Sequence, residues 1–387
     1  MNRHISFGAL VVGLSISACG SSSTATTTAS ATGSGAGSTT GGTGKTTGNA
    51  TGGSPTASGG SPTASGGSPT ASGGGSTTGA AGGSSTGSGL SGMVSDFAGN
   101  PPVSGSCGAF GGDPAFSPQF LAIDSTPNLY VMDDALDKIT VPGATLNVLV
   151  STFGTSVANG MAVTAAGVAY YSEQTAFGED TDIFMGSTAI FMGQPPSCND
   201  TGSAAGAVGL GQAAGIAVDA QGNVYVADEG CYRVRKVSPA GVVSAFSGTG
   251  VPGYMDGAGD VAQFSTLAGI TIDPNGNLFV YESDTHHIRE IAPDGTTSTI
   301  VSSANDIGGM AVDANETIWF SDFQTNNISK IVNQITSLVA GNTSPGHRNG
   351  AAAQAEFNSP AGVVVDANGN VYVADSANCV IREITTP

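Results

Sequence analysis

From about residue 90 onward, one pattern of apolar and polar positions repeats along the chain. A glycine opens a short apolar run, a polar turn follows, and a second apolar run completes the unit. The clearest copies are GIAVDAQGNVYVAD from Gly215, GITIDPNGNLFVYE from Gly269, GMAVDANETIWFSD from Gly309 and GVVVDANGNVYVAD from Gly362. Weaker copies begin at Phe120 and Gly160. A repeat spaced by roughly 40 to 55 residues is typical of propellers and solenoids, in which each unit buries its apolar face against its neighbours.

Each copy predicts a β-hairpin followed by two further strands. The turns DAQGN, DPNGN and DANGN contain Asp, Asn and Gly, which tolerate the backbone conformations of tight connections. A third strand with alternating polar and apolar residues follows, as RVRKV at Arg233, HIREI at His287 and IREI at Ile381. A fourth strand follows in turn, as VVSAFSG at Val242, TSTIVS at Thr297 and ITSLVAG at Ile335. Four antiparallel strands that become more exposed from first to last predict a propeller blade.

The two ends of this region predict how the ring closes. MVSDFAG, beginning at Met93, resembles a fourth strand that has no first strand before it. The last copy ends after its third strand, at Ile384. The N-terminal strand is therefore expected to complete the sixth blade. The predicted fold is all-β: a six-bladed β-propeller of four-stranded antiparallel blades over residues 90–387, with the ring closed by the N-terminal strand.

The first residues have the features of an export signal. Arg3 gives a basic start, Ile5 to Ile16 form a short apolar stretch, and Ile16-Ser17-Ala18-Cys19 resembles a bacterial lipobox. The apolar stretch is too short for a membrane-spanning helix. We predict a lipoprotein signal peptide at residues 1–18 and a lipidated Cys19; the alternative is an ordinary secreted protein with a chance cysteine at this position. Because Gly20 is not the aspartate associated with inner-membrane retention, the predicted location is the outer membrane or the cell surface of a bacterium.

Residues 19–89 predict a disordered tether, and the charge lies beyond it. The segment is almost entirely Gly, Ser, Thr and Ala, with GGSPTAS three times in tandem, and has little apolar surface to bury. All 29 acidic residues follow it, whereas two of the 10 basic residues, Arg3 and Lys45, precede its end. The propeller region thus carries 29 acids against 8 bases, a net charge of −21. Such a charge excludes nucleic acid as a partner, and also anionic membrane surfaces except through the lipid.

The four remaining cysteines predict two disulfides in an exported chain. Cys231 and Cys379 lie in turns between second and third strands, and Cys107 and Cys198 lie in segments that join blades. In a four-stranded blade these two kinds of loop lie on the same face of the disc. Local pairing then joins Cys107 to Cys379 and Cys198 to Cys231. A four-cysteine metal site is the alternative, but it requires paired CxxC-like spacings that the sequence lacks.

An acidic residue follows each opening position by thirteen residues. The six are Asp133, Glu173, Asp228, Glu282, Asp322 and Asp375. Since each ends a second strand, all six are expected near one face, where they could hold Ca²⁺ or a cationic ligand. The alternative is structural: the carboxylates bind backbone amides and an arginine seven residues on. That spacing pairs Asp228 with Arg235, Glu282 with Arg289 and Asp375 with Arg382.

Other repeated residues are predicted to be structural. A second acidic set occupies the hairpin turns on the opposite face: Asp124, Asp219, Asp273, Asp313 and Asp366. Phe264 and Phe357 each precede an opening glycine by five residues, which predicts that they fill the gaps between blades. Trp319, in an apolar second strand, is expected in the core.

The repeat resembles a known family. GIAVDAQGNVYVADEGCYRVRKVSP, followed by VVSAFSGTGVPGYMDGAGDVAQFSTLAGI, is similar to the NHL repeat, and the resemblance extends from about residue 93 to the end. It is strongest in the third and sixth copies. In the second copy Thr164 replaces the usual turn aspartate. The resemblance implies a six-bladed propeller. Some six-bladed relatives are enzymes, among them lyases with histidine-bound zinc and gluconolactonase-like proteins with a central calcium.

No catalytic residues are predicted. Beyond the signal the histidines are His286 and His287, placed together on a third strand, and His347 in a blade-joining loop, so three of them are not expected on one metal. No GxSxG motif occurs in the propeller region, and no phosphate-binding or HExxH motif occurs in the chain. A calcium lactonase requires axial carboxylates and amides, whereas the inner strands here begin with Gly and small residues.

Two functions, besides a purely structural or spacer role in the envelope, remain open from the sequence. The first is an envelope-anchored scaffold that binds a protein or a glycan through its blade-joining loops, without a cofactor. The longest of these loops run from Gly99 to Pro118, Gly193 to Ala214, Gly248 to Leu267 and Gly341 to Pro360. Variable loops on a rigid framework are typical binding surfaces. The second is a divalent-metal-dependent hydrolase or lyase of the gluconolactonase-like type, which needs several of the six acids unpaired and directed at the axis.

Overall fold

A computed structural model describes residues 92–101, 107, 116–133, 135–140, 144–150, 157–174, 181–191, 198, 209–302 and 306–385. The predicted signal peptide, Cys19 and the tether lie outside these residues. Within the described part of the chain, no helix is long and apolar enough to cross a membrane.

The described strands form six antiparallel sheets, and the first three blades follow one another in sequence order. The N-terminal strand β1 (Met93–Gly99) precedes them. Blade 1 contains β2 (Phe120–Ile123), β3 (Leu129–Met132), β4 (Leu136–Thr140) and β5 (Thr145–Val150). Blade 2 contains β6 (Val157–Val163), β7 (Ala169–Gln174), β8 (Thr181–Met185) and β9 (Thr188–Phe191). Blade 3 contains β10 (Ala213–Val218), β11 (Val224–Asp228), β12 (Arg233–Val237) and β13 (Val243–Ser247).

Blades 4 and 5 repeat the arrangement, and blade 6 closes the ring. Blade 4 contains β14 (Leu267–Ile272), β15 (Leu278–Glu282), β16 (His287–Ile291) and β17 (Thr297–Val301). Blade 5 contains β18 (Ile307–Val312), β19 (Ile318–Asp322), β20 (Asn327–Val332) and β21 (Ile335–Ala340). Blade 6 combines β22 (Gly350–Ala351), β23 (Pro360–Val365), β24 (Val371–Asp375) and β25 (Val380–Thr385) with β1. Three short 3₁₀ turns lie at Glu229–Cys231, Ala352–Gln354 and Ser376–Asn378. The six-bladed propeller predicted from the repeat is confirmed.

The ring closes through the N-terminal strand. β1 pairs antiparallel with β25, with Val94 opposite Ile384 and Ser95 opposite Glu383. The disulfide between Cys107 and Cys379 joins the segment after β1 to the turn before β25. The predicted closure and this predicted disulfide are therefore both confirmed, so strands and a covalent bond together hold the two ends of the ring.

Aspartates fix the turns between first and second strands. In blade 3 Asp219 Oδ1 accepts hydrogen bonds from the amides of Gln221 (2.9 Å) and Asn223 (2.8 Å). The same pattern recurs in the other turns that have an aspartate. Burial on its own raises the pKa of Asp124, but hydrogen bonds from residues 126 and 128 outweigh it and lower the pKa to about 2. The structural role predicted for this acidic set is confirmed.

Blade 2 shows how the turn forms without an aspartate. The Thr164 hydroxyl accepts a hydrogen bond from the amide of Val168 (3.1 Å), four residues on. This is the bond that the aspartate carboxylate makes elsewhere. A hydroxyl is a weaker acceptor than a carboxylate, and it still closes the turn.

Large apolar side chains fill the gaps between blades. Phe264 and Phe357 are fully buried, each within a cluster that joins residues of two adjacent blades. Trp319 is 5% exposed, and its indole N–H donates to Asp313 Oδ2 (3.1 Å). The predictions for all three aromatic residues are confirmed. The indole bond joins the core of blade 5 to its hairpin turn.

Glycines allow the inner strands to meet around the axis. A cavity of about 100 Å³ lies there, lined mostly by apolar residues and by the opening glycines. A Cβ atom on Gly160 would lie 2.8 Å from the Cα of Gly215, and one on Gly362 would lie 2.7 Å from Gln119 O. A Cβ on Gly269 would meet nothing within 4 Å. Close contact between inner strands therefore constrains some opening positions and leaves others free.

The difference in space around Gly362 and Gly269 predicts unequal effects of an alanine substitution at the two positions. Gly362→Ala places a methyl group against backbone atoms of the neighbouring inner strand, which cannot move without shifting the strand, and should destabilise the fold by about 1–3 kcal/mol. Gly269→Ala, the matched control, should change the free energy of unfolding by less than about 0.5 kcal/mol. Chemical denaturation of both variants measures the effects. Equal losses would contradict the packing described at the axis.

Candidate functional site

One face of the disc carries the segments that join the blades. We call it the loop face: it contains the turns between second and third strands and the segments that join successive blades. The opposite turn face carries the hairpin turns. Two long joining segments are described throughout, residues 248–266 before blade 4 and residues 341–359 before blade 6. We call these two segments the blade 4 loop and the blade 6 loop.

Three of the six ring acids form buried ion pairs with the predicted arginines. Nη1 of the arginine lies 3.2 Å from the carboxylate in Asp228–Arg235 and Glu282–Arg289, and 2.8 Å in Asp375–Arg382. All six side chains are fully buried. The structural alternative predicted for these three acids is what the structure shows.

The same carboxylates also hold the chain that enters each blade. Glu282 accepts the amide of Ser265 (2.7 Å), and Asp375 accepts the amide of Asn358 (2.7 Å). Asp228 accepts the amide of Gly211 (3.0 Å). Burial raises the pKa of Asp228 and Asp375, and the bonds from arginine and amide groups act in the opposite direction. Each acid thus joins its own blade to the loop that precedes it.

The other ring acids have different neighbours. Asp133 accepts the amides of Ser117 (2.9 Å) and Ala135 (3.0 Å), and Asp322 accepts those of Gln324 and Thr325. The position of the blade 3 arginine is taken by Asp137 in blade 1, by Phe184 in blade 2 and by Ser329 in blade 5. Glu173 lies opposite Asp182 across its strand pair. In the part of the chain that the structure describes, no three His, Cys, Asp or Glu side chains are grouped to hold a metal ion.

Arg289 is the centre of the blade 4 loop. It donates to the carbonyl oxygens of Met255 (3.0 Å) and Gln263 (3.2 Å), and to Oδ1 of Asp256 (2.7 Å). Its guanidinium carbon lies 5.3 Å from the centre of the Phe264 ring, within cation–π range. One buried side chain therefore binds the loop on both sides of its bend and packs on the phenylalanine that fills the gap between blades.

Asp256 also ties the loop to the outer strand of blade 4. Its Oδ2 accepts the amide of Thr299 (3.0 Å) while Oδ1 binds Arg289. Burial on its own raises the pKa of Asp256, but these hydrogen bonds outweigh it and lower the pKa. The carboxylate therefore stays ionised at neutral pH and joins two elements of the blade.

The blade 6 loop is built in the same way around Arg382. This side chain donates to the carbonyl oxygens of Arg348 (2.9 Å) and Glu356 (3.0 Å), and to Oδ1 of Asn349 (2.7 Å). Its guanidinium carbon lies 5.1 Å from the Phe357 ring centre. In the aligned sequences of the two loops, Asn349 takes the place of Asp256. The amide oxygen of Asn349 accepts the Nη2 bond that the Asp256 carboxylate accepts in blade 4, and Asp96 Oδ1 on β1 lies 3.0 Å from Nε of Arg382.

The side chains at the bends of these loops project into solvent. Tyr254 is 67% exposed, Val251 54% and Met255 49%. The Tyr254 ring lies 6.0 Å from that of His287 on β16. At the position of Tyr254 the blade 6 loop has His347, whose Nε2 lies 2.8 Å from Asp96 Oδ1 on β1. The blade 4 loop therefore presents exposed apolar groups, whereas the blade 6 loop contacts the closing strand.

The histidines lie in different settings. The sequence placed His286 on a third strand, but it lies just before β16 in a left-handed conformation (φ 55°), and only His287 belongs to the strand. His286 Nδ1 lies 3.0 Å from the Tyr281 hydroxyl and 3.5 Å from Asp306 Oδ1. Burial raises the pKa of Tyr281. His286 therefore joins blade 4 to the segment that enters blade 5.

The second predicted disulfide, Cys198–Cys231, is also formed. It lies on the loop face, where Cys231 ends a 3₁₀ turn between β11 and β12. Cys379 follows the equivalent turn in blade 6. Both disulfides therefore join a second-to-third-strand turn to a segment that joins blades.

Comparison with known sequences identifies one repeat directly. Residues 357–382 match the model of the NHL repeat. A segment of 78 residues is 35% identical to protein SUPPRESSOR OF QUENCHING 1, chloroplastic, from Arabidopsis thaliana. That similarity covers 20% of this chain and only 7% of the length of the plant protein.

Comparison with solved structures supports the architecture. An auxiliary nutrient binding protein from Bacteroides thetaiotaomicron superposes with a TM-score of 0.57 at 16% identity, over 76% of each chain. Another from Bacteroides ovatus superposes with a TM-score of 0.54 at 14% identity, over 77% of each chain. Identities this low show similarity of fold alone. The chain is thus a six-bladed β-propeller that carries an NHL repeat in its sixth blade.

Proposed function

We propose that the protein is an envelope-anchored scaffold that binds a protein or glycan partner through its loop face. The observation that carries this proposal is the pair of buried arginines that hold the blade 4 and blade 6 loops. A loop fixed in advance loses little conformational freedom when it binds, so less of the contact energy is lost to ordering. Rigid loops that display exposed side chains are suited to recognition.

The composition of the blade 4 loop supports a contact surface. Tyrosine and methionine are enriched at protein interfaces, and Tyr254 and Met255 stand side by side at its bend with Val251 nearby in sequence. An exposed tyrosine ring can equally pack against the face of a sugar. The net charge of −21 favours neutral or basic partners over acidic ones.

The proposed location rests on the signal-like N-terminus and on the disulfides. Two disulfides are typical of a chain that folds in an oxidising compartment outside the cytoplasm. A lipid on Cys19 would hold the propeller at a membrane, with residues 19–89 as a tether. The Bacteroides structures described as nutrient binding proteins have the same fold, which is compatible with a binding role.

The contacts of the ring acids favour the scaffold over a metal-dependent enzyme. Asp228, Glu282 and Asp375 are each bound by an arginine and a backbone amide. A metal ion would have to displace these bonds. The surroundings of the axial cavity are mostly glycine and apolar side chains. We therefore assign recognition to the loops and a structural role to the paired acids.

Site-specific photo-crosslinking in native cells tests the proposal. A benzophenone amino acid replaces Tyr254 on the loop face or Gln221, an exposed residue in a hairpin turn on the turn face. We expect a crosslinked adduct from position 254, recovered in the membrane fraction, and none from position 221. Mass spectrometry identifies a protein partner, and a glycosidase-sensitive shift identifies a glycan. Adducts from position 221 alone, from both positions equally, or from neither would contradict the proposal.

A further inference from the structure

The outer strand of blade 5 has an open edge. β21 pairs with β20 on one side. On its other side, no strand pairs with it among the described residues. Ile335 is 69% exposed and Leu338 is 40% exposed, and Thr336 and Ser337 between them are also exposed. An open strand edge of this kind can pair with a further strand.

In two other blades, a loop covers the corresponding edge. Gly257 of the blade 4 loop exchanges two backbone hydrogen bonds with Thr297 on β17 (3.0 and 2.8 Å). In blade 6, β22 pairs with β1. Both covering segments belong to the long loop that precedes the blade. Blade 5 is preceded by residues 302–306 alone, too few to cross the blade to its outer edge.

The hairpin geometry determines which backbone groups face outward. β20 and β21 are joined by Asn333 and Gln334, both with positive φ (49° and 65°), as in a two-residue type I′ turn. In such a hairpin the residues next to the turn, Val332 and Ile335, exchange hydrogen bonds with each other. Along the strand, the side to which the backbone amide and carbonyl groups point alternates from one residue to the next. The amide and carbonyl groups of Thr336 and Leu338 therefore point away from the blade.

The charge of the edge decides what can pair with it. The sequence of β21, ITSLVA, contains no charged residue, whereas the propeller region has a net charge of −21. Two copies of such an acidic domain repel each other over most of their surfaces. At β21 two identical strands can pair without bringing like charges together. Strand pairing around a two-fold axis is also self-complementary, as closed dimers require.

We propose that a second copy of this chain pairs with β21 in an antiparallel register. In the two-fold arrangement centred on Ser337, Thr336 of each copy faces Leu338 of the other. The outward backbone groups of these residues then form inter-chain hydrogen bonds, and the two four-stranded blades join into one eight-stranded sheet. Thr336 and Leu338 side chains pack as cross-strand pairs on one face of that sheet.

The dimer is expected to be weak and to tighten with salt. One strand from each copy forms a small interface, below the roughly 1,200 Å² that separates transient from stable complexes. Salt screens the repulsion between the two acidic domains and leaves the backbone hydrogen bonds of the strand pair in place. Higher ionic strength should therefore lower the dissociation constant, which is opposite to the behaviour of a complex held by ion pairs.

Sedimentation equilibrium of residues 90–387, which contain the closed ring and both disulfides, tests the proposal. We expect a monomer–dimer equilibrium between about 5 and 500 µM, tighter at about 300 mM than at about 20 mM NaCl. Thr336→Pro removes an outward amide without affecting the bonds to β20, and Leu338→Lys introduces a charge that meets its own copy. Each should weaken the dimer at least about tenfold.

The controls separate β21 from other surfaces and from the upstream chain. Leu149→Lys changes a comparably exposed residue (47%) on the outer strand of blade 1 and should leave the dimer unchanged. A monomer at every concentration, or equal loss in Leu149→Lys and Leu338→Lys, would overturn the proposal. A second sample, residues 20–387, should dimerise equally. If residues 90–387 dimerise but residues 20–387 do not, the upstream segment covers the edge of β21 in the longer chain, and a second copy does not bind there.

Discussion

Replacing Arg382 with methionine should destabilise the propeller by about 3–5 kcal/mol, the largest effect expected of a single substitution in the loop face. The change leaves the Asp375 carboxylate buried without its cation. It also removes the donors to the carbonyl oxygens of Arg348 and Glu356. Methionine keeps much of the packing volume but supplies no hydrogen bonds.

Chemical denaturation of the Arg382→Met variant measures this loss, and two further variants define its cause. Asp375→Asn combined with Arg382→Met removes the buried charge and should recover part of the stability. Arg348→Met changes an exposed side chain and should cost less than about 0.5 kcal/mol. A small effect of Arg382→Met, similar to that of Arg348→Met, would show that the arginine does not hold the loop.

Removing the ring-closing disulfide should cost more than removing the other one. Cys107 and Cys379 are 272 residues apart, whereas Cys198 and Cys231 are 33 apart. In the chain-entropy model the longer loop corresponds to a loss of about 5.6 kcal/mol on removal and the shorter to about 3.7 kcal/mol. The long-range bond also holds the segment that follows β1, the strand on which closure depends.

Paired cysteine-to-alanine variants test this order. The free energy of unfolding of Cys107→Ala/Cys379→Ala is compared with that of Cys198→Ala/Cys231→Ala under identical conditions. Faster hydrogen exchange of β1 is expected in the first variant only, because Cys231 lies in blade 3. Equal losses, or an unchanged β1 in both, would mean that strand pairing alone closes the ring.

The repeat made most of the fold predictable. Strand positions, the number of blades and the closing strand all follow from a pattern that recurs six times, because each repeat must bury the same faces. The ion pairs followed from a constant spacing of seven residues in three blades, such as Asp228 with Arg235. The disulfides followed from topology, since the loops concerned lie on one face.

The details of the loop face were less accessible from the sequence. The bonds from Arg289 and Arg382 to loop carbonyls involve backbone atoms, which carry no residue signature. Only the match between Asp256 and Asn349 in the two loops could have indicated a shared acceptor. The sequence did not predict the left-handed conformation of His286. The strand begins at His287, and two consecutive histidines do not indicate which of them is its first residue.

The open edge of β21 was likewise not evident in the sequence. Outer strands of other blades are also uncharged, such as TSTIV in β17. What distinguishes blade 5 from blades 4 and 6 is the shortness of the segment that enters it, because this segment cannot cover the outer strand as the blade 4 loop does. Whether the edge of an outer strand is covered depends on the loop that precedes the blade, and the composition of the strand does not indicate it.

In blade 4 a buried network of hydrogen bonds is connected to an exposed surface. Arg289 binds the acid that ends β15, the loop carbonyls and Asp256, and the loop so held displays Tyr254. If this display is what a partner recognises, releasing the loop must weaken binding even when the exposed side chains are unchanged.

The most direct test is crosslinking from position 254 in chains that differ only at Asp256. Asp256→Ala removes the acceptor for Arg289 and Thr299, whereas Asp256→Asn keeps an oxygen acceptor, as Asn349 does in blade 6. We predict that the adduct is lost or strongly reduced in Asp256→Ala and retained in Asp256→Asn, with both proteins folded by circular dichroism. An adduct of equal yield in all three chains would contradict the claim that the arginine-held loop is the binding surface.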